Sequence, residues 1–199
     1  MNSSLNEINF DENFSKNYDL FSKRFPSLAS IILENKAKSF AQDALSQIEL
    51  KQAKNGEISA LQNNLAFHSL YNPTREAETI AKSNECNSNT TTVFFSYGLA
   101  YSAIEFAKEQ KEKTLIIIES DLPFAFLPFL TTDLSKLFAH KNLILLFGLK
   151  HDEIIGFFES QKITKFNIIQ NKAQTFHNSL YFSQLSQLFE RNKEKEKIN

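Results

Sequence analysis

Three short stretches of this chain hold residue types that could do chemistry. The first is Phe95-Ser96-Tyr97-Gly98-Leu99-Ala100-Tyr101-Ser102, one glycine between an apolar run and a helical pattern. A turn of this kind, at the end of a leading strand, presents the N–H groups and positive partial charge of a helix N-terminus, which suits an anion. Gly98 permits the tight turn. A dinucleotide fingerprint carries three glycines, however, and Tyr97 and Leu99 would crowd a pyrophosphate, so a plain strand-to-helix turn is the competing reading. The second is Glu119, directly after the apolar run 114–118 and about twenty residues beyond Gly98. An acid there can accept hydrogen bonds from ribose hydroxyls, and Asp121 is a neighbouring alternative. Glu119-Ser120-Asp121 can equally end a strand and cap a helix opening at Pro123.

The third stretch is Leu70-Tyr71-Asn72-Pro73-Thr74-Arg75-Glu76-Ala77-Glu78. Asn72 reads as an N-cap and Pro73 as the first helical residue, with Glu76 and Glu78 near the positive helix end. Arg75 is the only arginine between Arg24 and Arg191. It could fork onto a carboxylate or phosphate of a ligand, or pair with an acid of the protein itself. Other chemistries find little support. His68, His140, His151 and His177 form no HxxxH or HxH pair and have no Cys or Asp at metal spacing. Of these, His68 is the one to watch, because it lies beside the Pro73 motif. No nucleophile elbow, Walker loop or CxxC is present. The spacing therefore assigns no catalytic residue, no metal and no cofactor, and leaves Ser96, Gly98, Glu119, Asp121 and Arg75 as possible ligand-binding residues.

These residues need elements to hold them. Residues 11–44 carry a helical period, with Tyr18, Phe21 and Phe25 on one face. Pro26 interrupts it and can open a second helix whose buried stripe would be Leu28, Ile31, Ile32 and Phe40. From residue 47 to 69 the pattern shortens. Ile48 and Leu50, then Ile58 and Leu61, flank Asn55-Gly56, a hairpin signal in which both turn positions favour positive φ. Asn63-Asn64 would make a second turn before Leu65-Ala66-Phe67, giving a small antiparallel β-meander. From residue 90 onward strands and helices alternate: strands at 92–95, 114–118, 143–147 and 165–169, helices at 99–108, 123–130, 134–138, 153–160 and 178–191. Repeated β-α units imply a parallel sheet with right-handed crossovers. The expected fold is thus α/β: a Rossmann-like, mostly parallel sheet of about four strands in the order 3-2-1-4 counted from Thr92, preceded by a helical arm and the meander. The expected division is 1–70 for arm and hairpin, 71–191 for the Rossmann-like domain and 192–199 for a charged tail.

The totals narrow the setting. The chain has 199 residues and a net charge of -1, so it carries no whole-chain footprint for nucleic acid. Twenty phenylalanines and no tryptophan predict a Phe-rich core. The single cysteine, Cys86, cannot form an internal disulfide and sits in a polar loop, which reads as a surface thiol in a reducing compartment. With no signal-peptide pattern at the N-terminus and no apolar stretch near the ~20 residues of a membrane span, the expected location is cytoplasmic, without membrane contact.

Taken together, these residues resemble a known family. Phe67-His68-Ser69-Leu70-Tyr71-Asn72-Pro73-Thr74-Arg75-Glu76-Ala77 resembles the segment before the first sheet strand of the motility accessory factor (Maf) proteins, bacterial flagellin glycosyltransferases. Ser96-Tyr97-Gly98-Leu99-Ala100-Tyr101 is similar to that family's Gly-Leu-Gly-Tyr type turn, and Ile118-Glu119 to its strand ending in Glu. Arg24-Phe25-Pro26-Ser27-Leu28 and Asn55-Gly56 fit its N-terminal helix and hairpin. Ala100 stands where the second glycine is usual, and Asn72 where Asp is usual. The resemblance spans most of this chain and only the N-terminal part of the family. It implies a non-catalytic N-terminal domain, stand-alone or truncated, whose full-length relatives carry catalysis in a central domain that transfers a nonulosonic acid sugar to flagellin. The implied partners are flagellin or a glycosyltransferase, with a nucleotide-sugar as a possible ligand. The alternative is an S-adenosylmethionine- or nucleotide-binding Rossmann-fold enzyme such as a methyltransferase, suggested by the Gly98–Glu119 spacing.

Overall fold

The computed structural model of the chain describes residues 8–84 and 91–198; Cys86 and its polar loop lie outside the described residues. In chain order the elements are α1 (Phe10–Arg24), α2 (Pro26–Ile31), α3 (Glu34–Ser46), β1 (Glu49–Gln52), β2 (Ile58–Gln62), β3 (Leu65–Ala66), α4 (Pro73–Ser83), β4 (Thr91–Phe95), α5 (Tyr101–Glu109), β5 (Thr114–Glu119), α6 (Leu122–Thr131), α7 (Ser135–Phe138), β6 (Leu143–Phe147), α8 (His151–Ser160), β7 (Phe166–Gln170), α9 (Lys172–His177) and α10 (Ser179–Ile198). The α/β reading holds. Strands β4 to β7 form one parallel sheet in the order β6-β5-β4-β7, which is the expected 3-2-1-4, and β1-β2-β3 form the antiparallel meander. Val93 pairs with Ile116 on one side and Ile168 on the other, so β4 is central.

Apolar residues alternate across this sheet to feed two cores. Phe94, Leu115 and Ile117 face α1, α5, α6 and α7, meeting Phe14, Phe21, Phe106, Phe126 and Phe129. Val93, Phe95, Ile116 and Ile118 face α8 and α10, meeting Ile154, Phe158, Phe182, Leu185 and Phe189. A strand buried on both faces needs a continuous apolar run, and 115–118 supplies it. Rings interlock at edge-to-face and tilted angles, such as Phe21 on Phe129 and Phe94 on Phe106, so phenylalanine fills the core as its abundance predicts.

The helical arm packs on its own sheet. Asn17 is buried in α1 and fastens it to the end of α6: its Nδ2 donates to the carbonyls of Phe129 (3.0 Å) and Thr132 (2.7 Å), and its Oδ1 accepts from Leu134 N–H (3.0 Å). These are carbonyls and an amide that a helix end leaves without partners. The arm departs from expectation after Pro26. The chain breaks again at Ile32 and Leu33, and Ile31 is 73% exposed. The buried stripe of α3 is Ala37, Ala41 and Ala44, small residues that bring the helix close against α6. Periodicity finds a buried face by its large residues and overlooks one made of alanine.

The two meander turns also exchange roles. Asn55-Gly56 sits in a longer loop in which only Gly56 has positive φ, whereas Asn63 (φ 51) and Asn64 (φ 63) form the tight two-residue connection joining Gln62 to Leu65. Glu57 pins the first loop to α4: its Oε2 accepts from Thr74 N–H at 3.0 Å and its Oε1 from the Thr74 hydroxyl. At the far end, α10 runs helical to Ile198 through the stretch read as a tail at 192–199. Lys and Glu are good helix formers, so loss of the apolar pattern there does not end the helix.

Candidate functional site

The sheet reverses its winding between β4 and β7. In an open α/β sheet the crevice outside the carboxyl ends of the strands at such a switch point is where ligands bind. A cavity of about 440 Å³ lies there. Its floor is Phe94, Ser96 and Tyr97 at the end of β4 and Ile169 to Lys172 at the end of β7; its walls are Phe67, His68 and Ser69, with Glu76 and Ile80 of α4 and Ser102 of α5. The meander reaches this place because Phe67 packs with Leu99, Phe124 and Ala173 in a third apolar cluster.

The β4–α5 turn is strained. Ser96 (φ 53), Gly98 (φ 60) and Ala100 (φ 72) all adopt positive φ, and two of these are not glycine. Each such non-glycine residue costs about 1–2 kcal/mol, and strain of this kind gathers at working sites. The amides the turn would offer to an anion are already taken. Gly98 N–H donates to Gln174 Oε1 (2.8 Å) and Leu99 N–H to His68 Nε2 (2.9 Å). Burial drives the His68 imidazole down to a pKa of about 3, so it is neutral, as an acceptor must be. Asn171 completes the lock by donating through Nδ2 to Phe67 O (2.8 Å) and accepting Gln174 N–H (3.3 Å) as the N-cap of α9.

Glu119 is the last residue of β5, paired with Phe147 and 1% exposed. Burial pushes its carboxyl up to about 8, against smaller pulls from the Asp121 N–H, which Oε1 accepts at 3.2 Å, and from the adjacent Ser96 hydroxyl. That pull is weak: Ser96 Oγ and Glu119 Oε2 make no hydrogen bond of ordinary geometry, nor do Ser120 Oγ and Gln174 Nε2. These four buried polar atoms lie at the carboxyl edge of the sheet, where a bound group could reach them. Asp121 occupies the N-cap position of α6 without a side-chain cap bond; burial raises its pKa and His177 opposes this.

The structure thus brings Ser96, Gly98, Glu119 and Asp121 to one end of the sheet, but only Ser96 of these lines the cavity. Arg75 stands apart, exposed on α4 and without an ion pair among the described residues; its backbone N–H donates to Asn72 Oδ1 at 2.8 Å, the expected N-cap bond. Asn72→Ala should cost about 1 kcal/mol in urea-monitored unfolding, as loss of a helix cap does. Sequence reasoning missed Asn171 and Gln174. The signal was there as Asn171-Lys172-Ala173-Gln174, a cap residue with glutamine three positions on. Among the described residues no group of three or more His, Cys, Asp or Glu could hold a metal ion, and no helix is long and apolar enough to cross a membrane.

Fold and crevice define a Rossmann-like α/β protein with a self-capped switch point. No family model matches the chain. It is similar to an uncharacterized protein of Treponema pallidum (strain Nichols), 30% identical over 142 residues that cover 69% of this chain and 48% of that protein, so it spans about half the relative's length. Among solved structures it is similar to the MAf glycosyltransferase from Magnetospirillum magneticum AMB-1, with a TM-score of 0.55 at 11% identity, covering 90% of this chain and 35% of that one. The fold is therefore a Maf-like fold.

Proposed function

We propose that this chain is the N-terminal, non-catalytic domain of a Maf-like system that glycosylates flagellin with a nonulosonic acid sugar, serving acceptor recognition or assembly while another part of the system transfers the sugar. The observation that carries this reading is the extent of the fold likeness: nearly the whole chain superposes on about a third of a glycosyltransferase. The motif 67–77 supports it, since it builds the wall of the crevice and the start of α4. The internal capping of Gly98 and Leu99 N–H by Gln174 and His68 argues against a nucleotide-sugar in the turn and against the methyltransferase alternative, because a phosphate or cofactor would have to displace both side chains.

The test is calorimetric titration of the purified chain with full-length flagellin and, separately, with a nucleotide-activated nonulosonic acid. Flagellin is expected to bind in about the micromolar range, near -8 kcal/mol, and the activated sugar to give no heat. Absence of flagellin binding, together with unchanged flagellin glycosylation when the gene is deleted, would remove the proposal. A rise in melting temperature with S-adenosylmethionine would move the assignment to the enzyme reading.

A further inference from the structure

The cavity at the switch point has its own chemistry, independent of any role in glycosylation. Four features of its lining bear on an occupant. Ser96 is 1% exposed, and its hydroxyl has no partner in the protein. His68 accepts Leu99 N–H through Nε2 and is neutral, which fixes the proton on Nδ1. Ser69 Oγ accepts the amides of Tyr71 (3.1 Å) and Asn72 (3.3 Å), leaving its own proton to donate. Glu76 accepts Ser69 N–H through Oε2 (2.8 Å). The Ser96 hydroxyl lies beside the Glu119 carboxyl, which draws on it only weakly. The remaining walls are the apolar surfaces of Phe67, Phe94, Ile80 and Ile169.

We infer that this cavity is a binding site for an uncharged, hydroxyl-bearing ring compound of nucleoside or monosaccharide size. A volume of about 440 Å³ with apolar walls and a few convergent polar groups is what small-molecule sites have. The polar groups of the lining are hydroxyls, a neutral imidazole and a carboxylate, which match alcohols by donating to and accepting from them. A phosphate finds nothing here. The turn amides are occupied, the imidazole carries no charge, and the single cation of the lining, Lys172, is exposed and shares the lining with the carboxylate of Glu76. Strain at Ser96 holds its hydroxyl at the cavity despite the backbone cost, and that hydroxyl is the group a ligand would satisfy.

The test is titration of the full chain followed by amide NMR shifts, with adenosine, uridine, methyl glucoside and N-acetylglucosamine as uncharged probes, and with adenosine and uridine diphosphates as charged counterparts. At least one uncharged probe should shift the amides of Ser96, Ser69, Ser102 and Asn171, and which one does so separates nucleoside from sugar. The diphosphates should bind at least about tenfold more weakly, and Ser96→Ala should weaken the bound probe by about tenfold, the worth of one buried hydrogen bond. Ile80→Phe, which fills the cavity from α4 without touching the strained turn, should abolish the shifts while leaving the rest of the spectrum in place. No shift with any uncharged probe at about 10 mM, tighter binding of a diphosphate, or binding that survives Ile80→Phe would each overturn the assignment.

Discussion

Gly98→Ala is expected to destabilise the chain by about 2–5 kcal/mol, enough to unfold a marginal domain. At φ +60 any other L-residue is strained, by about 1–2 kcal/mol. A Cβ there would also come within 2.5 Å of both Asn171 Nδ2 and His68 Nε2. Both atoms end flexible side chains, yet neither can swing away freely. Asn171 Nδ2 is bonded to Phe67 O, and His68 Nε2 holds the Leu99 amide in a buried setting. Relieving the clash breaks those bonds and adds about 1–3 kcal/mol, as overpacking does. Gly156→Ala is the control. It lies in α8 with nothing within 4 Å of a new Cβ, and it should stabilise by about 0.5–1 kcal/mol by restricting the unfolded chain. Guanidinium unfolding of the two variants beside the parent checks this. Equal effects at the two glycines would mean the crevice lock has been misread.

Two buried groups should tilt stability in opposite senses, their joint contribution level between about pH 4.5 and 6.5 and falling on both sides. His68 has a folded pKa of about 3 against 6.5 when unfolded. Between those values only the unfolded chain takes up the proton, so acid removes stability at about 1.4 kcal/mol per pH unit. Glu119 works in the opposite sense. Its folded pKa of about 8 exceeds the ordinary 4.5, so between those values the folded chain keeps a proton that the unfolded chain has lost, and rising pH removes stability at the same rate. Where the windows overlap, the two slopes cancel. Below pH 4.5 only the His68 slope remains, and above 6.5 only that of Glu119. Glu119→Gln, a neutral near-isostere, should erase the alkaline flank, so that its stability relative to the parent grows by about 5 kcal/mol from pH 4.5 to 8. Measuring the parent-variant difference across that range cancels other titrating groups. A difference flat with pH would show that Glu119 is ionised in the folded protein.

Both effects arise from contacts that no local pattern announces. The apolar runs 115–118 and 143–147 made β5 and β6 legible, because a strand buried on two faces has no room for polar alternation. Asn72-Pro73 marked the start of α4 because a cap and a fixed φ act within one turn. Gly98 declared a turn by lacking a Cβ. Where local rules competed, the reading slipped: Asn55-Gly56 carried the stronger hairpin pattern, but Asn63-Asn64 took the tight turn, and Glu57 tied the longer loop to α4.

The sequence by itself determined the order of the elements and the winding of the sheet, since right-handed crossovers leave few ways to arrange four such strands. It also placed Ser96 and Glu119 at the carboxyl edge. Only the tertiary structure decided what those residues meet. His68 reaches Leu99 across 31 positions and Gln174 reaches Gly98 across 76. A backbone amide carries no mark in the sequence of which distant side chain will accept its proton. That choice follows from the packing of Phe67, Leu99, Phe124 and Ala173, which folds the meander and α9 over the end of β4 and leaves the turn's amides capped by side chains instead of open to an anion.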